Sequence, residues 1–190
     1  MPSGATSEPP DAVRLYQTAV HYLARYAATE AGLRRILTQR IDRWARAQSD
    51  WEVVQPVIEA ARASVDGVIE RLMKAGAVSD TAFAESRAKG MVRSGLSNRA
   101  IQARLVAKGV PRDVARTASS TDVESELAAA LVLVRKRRIG NYRVAGEADD
   151  AIRIKEMGVM ARAGFSRDIA RQALETPRED AENRIFELRR

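Results

Sequence analysis

The chain has 190 residues, of which 45% are hydrophobic, 5% aromatic and 30% charged, with one histidine and no cysteine. That length and apolar share are enough for a buried core, and the lack of cysteine excludes disulfides, thiolate nucleophiles and cysteine-held metals, as a reducing cytoplasm would favour. Lysine plus arginine outnumber aspartate plus glutamate by 32 to 25, and the resulting net charge of +7 bears on partners, solubility and encounter rate rather than on fold.

In chain order, residues 1–11 lack the basic region and apolar core of a signal peptide and read as a disordered tail. Asp11 caps a first helix whose apolar face carries Val13, Tyr16, Val20, Leu23 and Ala27. Thr29 opens a second, with Leu33, Ile36, Leu37, Ile41 and Trp44. Residues 42–53 read as an irregular stretch or helix joint, and burial is the default for Trp44 and Trp51. Ser49 with Glu52 spells a capping box before a long stripe from Val54 to Leu72 that stops at Gly76.

Ser79 and Asp80 start a helix through Phe83, Ala84, Ala88, Met91 and Val92, which Gly95 ends. Ser97 caps the next, burying Ala100, Ile101 and Leu105 up to Gly109, and Pro111 suits the first turn of its successor. Thr121 with Glu124 and Thr176 with Glu179 repeat the capping-box pattern, ahead of Leu127, Leu131 and Val134 and of Ile185 and Leu188. Residues 140–146 form the clearest internal loop. No segment alternates with a two-residue period, and the uncharged run at residues 127–134 is far short of the roughly 20 residues a membrane span needs. The expectation is an all-α protein of about nine helices with no membrane segment.

One unit recurs. Gly109, Arg112, Asp113, Ala115 and Arg116 return without a gap as Gly164, Arg167, Asp168, Ala170 and Arg171, and a fainter copy aligns Gly76 and Asp80 with Gly109 and Asp113. In each, a helix ends on a cation (Lys74, Lys108, Arg162) and a glycine takes a left-handed turn. An apolar residue plugs the corner in two copies (Val110, Phe165), and an early aspartate meets the positive end of the next helix. Such a unit cannot bury its own apolar face, so neighbours must stack.

At these residues the chain resembles the RecX family of regulators. The resemblance runs in order over residues 13–174. It includes Val68, Ile69, Glu70, Arg71 and Leu72 leading into Asp80, Phe83 and Ala84, then the stretch from Gly95 and Leu96 to Lys108 and Gly109, then Gly164, Phe165, Ser166 and Asp168. It departs at Gly32 and Leu33, where the family has Glu-Leu, at Ser79 before Asp80, where it has paired aspartates, and at residues 38–60, which look inserted. The resemblance implies an elongated array of three tandem three-helix repeats. Their bounds would be 12–79 with an insertion around 38–60, 80–120 and 121–175, followed by a C-terminal helix at 176–190. It further implies a monomeric cytoplasmic protein that binds and inhibits the RecA recombinase filament, modulating recombination, DNA repair and the SOS response.

Residues 86–117 hold eight cations, Arg87, Lys89, Arg93, Arg99, Arg104, Lys108, Arg112 and Arg116, against one acid, Asp113. A second block comprises Arg135, Lys136, Arg137, Arg138, Tyr142 and Arg143. Such clusters can meet phosphates or an acidic protein face, and these fourteen are the candidate contacts with the recombinase filament or DNA; solvated helix faces are the plainer reading. Tyr142 can stack on a base but more simply packs its loop. A competing reading makes residues 97–118 a stand-alone helix-turn-helix DNA-binding module, against which its second helix offers no asparagine or glutamine for adenine. His21 has no second histidine, Asp149, Asp150 and Asp180 lack a companion set spaced for a metal, and no phosphate-binding loop exists. Neither an enzyme nor a cofactor is expected.

Overall fold

The computed structural model describes residues 8–144 and 149–190, and every regular element among them is a helix. In order these are α1 (Ala12–Leu23), α2 (Glu30–Arg46), α3 (Trp51–Lys74), α4 (Asp80–Arg93), α5 (Asn98–Ala107), α6 (Arg112–Ser119), α7 (Val123–Arg137), a 3-10 turn (Gly140–Tyr142), α8 (Asp150–Arg162), α9 (Arg167–Glu175) and α10 (Arg178–Glu187). The pattern thus resolves into ten α-helices where about nine are expected. The greater part of the anticipated N-terminal tail, residues 1–7, and Ala145 and Gly146 of the anticipated loop lie outside the described residues.

Two compact units result, Met1–Phe83 with Lys108–Val110, and Ala84–Ala107 with Pro111–Arg190. In the first, α2 and α3 pair as a long hairpin and α1 lies on α3. The core joins Leu15 and Ala19 of α1 to Leu33, Leu37, Ile41 and Trp44 of α2 and a continuous α3 stripe ending at Leu72. The α1 face differs from the expected one: Leu15 and Ala19 are buried, whereas Val13 and Val20 are exposed. Leu15, Tyr16, Ala19, Tyr22 and Leu23 make an equally regular helical stripe, and periodicity alone does not choose between overlapping faces. Residues 42–53 are mostly helical, with a break only between Arg46 and Trp51. Trp44 is buried as expected, but Trp51, the first residue of α3, is 63% exposed.

The second unit is organised on α7. Leu127, Ala128, Ala129, Ala130, Leu131 and Val132 are all buried, so this helix is enclosed on every side and its alanines admit close neighbours, chiefly α9 and α10. That requirement explains an alanine run which propensity alone would read as merely helix-forming.

The caps shift by one residue from the expected boxes. Asp50, not Ser49, accepts the Val53 amide, and Asp122, not Thr121, accepts that of Ser125. A carboxylate next to a hydroxyl is the stronger partner for the positive helix end. Thr121 instead donates to Asn98 Oδ1 at 2.8 Å, and Thr176 closes α9 by donating to the Gln172 carbonyl, leaving Pro177 to start α10 without a side-chain cap.

Candidate functional site

Two helix starts in the chain are built alike. Thr29 is the N-cap of α2: its hydroxyl accepts the Gly32 amide at 2.9 Å and donates to the Lys108 carbonyl at 2.8 Å, while the Glu30 amide is taken by Asp80 Oδ1 at 2.8 Å. At the start of α5, the Ser97 hydroxyl accepts the Ala100 amide at 3.2 Å and donates to the Ala163 carbonyl at 2.7 Å, while the Asn98 amide is taken by Glu126. Each captured carbonyl belongs to the residue just before a left-handed glycine, Gly109 at φ +91° or Gly164 at φ +89°. Both hydroxyls are buried. A Cβ on Gly109 would stand 2.6 Å from that of Ala31, and one on Gly164 would stand 2.7 Å from Ser97 Oγ, so these turns require glycine for closeness as well as for φ. The recurrence seen in sequence is therefore a hydroxyl latch on a glycine turn. Val110 and Phe165 plug their corners as expected, and Val78 does so for the faint first copy.

Arg87, Lys89 and Arg93 lie on α4, Arg99 and Arg104 on α5, Lys108 in the turn after it, and Arg112 and Arg116 one turn apart on α6; all are exposed. Arg87 makes a contact of its own. For the other seven, no ion pair or side-chain hydrogen bond is formed among the described residues.

The second block behaves otherwise. Arg135 pairs with Glu182 at 2.7 Å, and the Tyr142 hydroxyl donates to the same carboxylate at 2.8 Å under the guanidinium of Arg178. Burial, then the hydrogen bond and charge of Glu182, push the Tyr142 phenol up to about 12, and the bond from Tyr142 pulls the Glu182 carboxyl below its ordinary range. Arg143 grips Glu156 through Nε and Nη2, with contacts of 2.7–3.0 Å, in a pair of which both members are largely buried. Lys136 donates to the Ser94 carbonyl. Arg137 and Arg138, the latter left-handed at φ 54°, remain exposed at the end of α7. Loop 140–146 is thus pinned rather than loose over its described part. Sequence reasoning did not find Glu156 and Glu182, whose roles depend on partners 13 and 40 residues away.

His21 is exposed with Nδ1 2.8 Å from the Gln17 carbonyl. Asp149 and Asp150 start α8, where Asp149 accepts the Ile152 amide.

These features define an all-α protein of repeated helix-turn-helix units, with a dense set of exposed cations on α4 to α6, seven of them without an ion pair among the described residues. Residues 79–118, spanning α4 to α6, match the family model described as RecX, second three-helix domain. The chain is 34% identical over 164 residues to the regulatory protein RecX of Myxococcus xanthus (strain DK1622), covering 85% of this chain and 84% of that protein. It is 37% identical over 107 residues to that of Agrobacterium fabrum (strain C58 / ATCC 33970), covering 56% of each. The crystal structure of RecX from Lactobacillus salivarius has the same fold, with a TM-score of 0.64 at 16% identity over 91% of this chain and 97% of that one. The chain belongs to the RecX family.

Proposed function

We propose that this protein binds the RecA recombinase filament and inhibits it, modulating recombination and DNA repair, with no catalytic activity of its own. The observation that carries this reading is the charge of α4 to α6: seven exposed cations without internal partners, within the stretch that matches the family model. An unpaired guanidinium contributes little to the fold and leaves its charge for a partner, either the acidic face of a protein polymer or the phosphates it encloses. The relatives' description as regulatory proteins agrees with a role exercised through binding. Of the second block, Lys136, Arg137 and Arg138 extend this surface, while Arg135, Tyr142 and Arg143 hold the loop that follows α7. Among the described residues, no helix is long and apolar enough to cross a membrane.

The test is the DNA-dependent ATPase of the cognate recombinase with this protein added. Inhibition at stoichiometric or lower amounts is expected, together with weak, salt-sensitive and sequence-indifferent binding to naked duplex. An unchanged ATPase beside tight, sequence-selective duplex binding would replace this reading with the stand-alone helix-turn-helix one.

A further inference from the structure

The groove between α8 and α9 contains a second concentration of arginine that the filament-binding reading does not use. Arg153 of α8 and Arg167 and Arg171 of α9 line an open cavity of roughly 870 Å³, floored by Met157 and Leu174, and an apolar hollow of roughly 340 Å³ adjoins it at Met157 and Arg167. The second hollow is walled by Gly158, Ala161, Phe165 and Ala170. The larger volume falls within the roughly 300–1,000 Å³ of small-molecule sites, which combine an apolar lining with a few convergent polar groups.

Two observations argue against a merely solvated face. Of the two acids that line the cavity, the buried Glu156 spends its charge bidentately on Arg143, which leaves Glu175 alone against the other three arginines. Arg153 and Arg171 reach only carboxylates on their own helices, Asp150 at 3.9 Å and Asp168 at 3.5 Å, and Arg167 forms no ion pair among the described residues. Three guanidiniums lining one concavity leave an excess of positive charge that an anion would neutralise.

The internal repeat shows that the groove is specific to this unit. Arg167 and Arg171 recur as Arg112 and Arg116 of α6, but the α5 positions matching Arg153, Glu156 and Met157 are Asn98, Ile101 and Gln102. Only the third copy faces its arginine pair with another arginine and an apolar floor.

We propose that this groove binds a small phosphorylated ligand of nucleotide size, its phosphates held by Arg153, Arg167 and Arg171 and its flat apolar part lying over Met157 in the adjoining hollow. Forked guanidiniums match phosphate oxygens in pairs, and the hollow provides the face against which a base packs.

Titration calorimetry of the full chain with ATP, inorganic pyrophosphate and a dT20 oligonucleotide as probes tests this. ATP is expected to bind with one-to-one stoichiometry and pyrophosphate at least tenfold more weakly. The Arg167→Gln, Arg171→Gln double variant should lose at least tenfold in ATP affinity with its helical circular dichroism unchanged. The Arg35→Gln, Arg43→Gln variant, which removes equal charge from exposed positions on α2, should lose less than twofold. Absence of ATP binding at millimolar concentration, pyrophosphate binding as tightly as ATP, equal losses in the two variants, or binding of dT20 without ATP would each overturn the proposal. None of these readouts involves the recombinase, so failure here leaves the filament-binding reading to its own test.

Discussion

Ser97 performs two functions with one hydroxyl: it caps α5 and captures the carbonyl before Gly164. Replacing it with alanine removes both bonds and leaves a buried carbonyl without its donor, so Ser97→Ala should cost about 1–3 kcal/mol. Gly164→Ala is expected to cost more, because it forces a side chain into φ +89° and drives its Cβ to 2.7 Å from Ser97 Oγ. The double variant removes the atom that the new methyl strikes while leaving the strained φ. Urea denaturation should therefore show it less destabilised than the sum of the two singles, and strict additivity would mean that hydroxyl and glycine are not coupled. The sequence carries the glycine plainly, since no other residue recurs in all three copies with such an evident backbone reason. It carries the latch only in part: Ser97 and Thr29 are legible as caps, but a cap does not disclose that its hydroxyl also reaches a carbonyl 66 or 79 residues away.

At the scale of elements, helices are legible and their faces less so. The α3 stripe is read correctly because 24 residues of it leave one consistent face, whereas α1 has only 12 and admits two. The candidate site divides in the same way. The cations of α4 to α6 are found because an excess of charge is a local property, but local charge does not report pairing, and Arg135 and Arg143 are answered by Glu182 and Glu156 from other helices. Glu156 stands where the preceding copy buries Ile101, so the third unit replaces an apolar contact with an ion pair. Glu156→Ala strands the largely buried Arg143 and should cost about 3 kcal/mol, whereas an Arg143→Met, Glu156→Ile exchange should cost far less, as compared by chemical denaturation. Equal losses would mean that the pair contributes by packing alone.

The neighbouring Tyr142–Glu182 contact has a sign that can be worked out. The phenol is raised from 10.0 to about 12 on folding, so the folded state favours the neutral form, and this contribution is complete below pH 10 and lost as pH rises towards 12. Ultraviolet titration should show one tyrosine ionising near pH 12, absent in Tyr142→Phe. A wild-type titration centred near pH 10 with no component near pH 12 would contradict the contact.

At the scale of the whole molecule, family membership, helical class and internal repetition agree with the proposed reading, in which exposed charge meets a partner. The exposed cations contribute little to stability, so reversing them should leave the fold intact and impair only recognition. The most direct measurement titrates the ATPase of the cognate recombinase with the wild-type protein and with an Arg99→Glu, Arg104→Glu, Arg112→Glu, Arg116→Glu variant of equal helical content. Potent inhibition by the wild type is expected, with a loss of at least a hundredfold in potency for the variant. Undiminished inhibition by the variant would show that these cations do not make the contact.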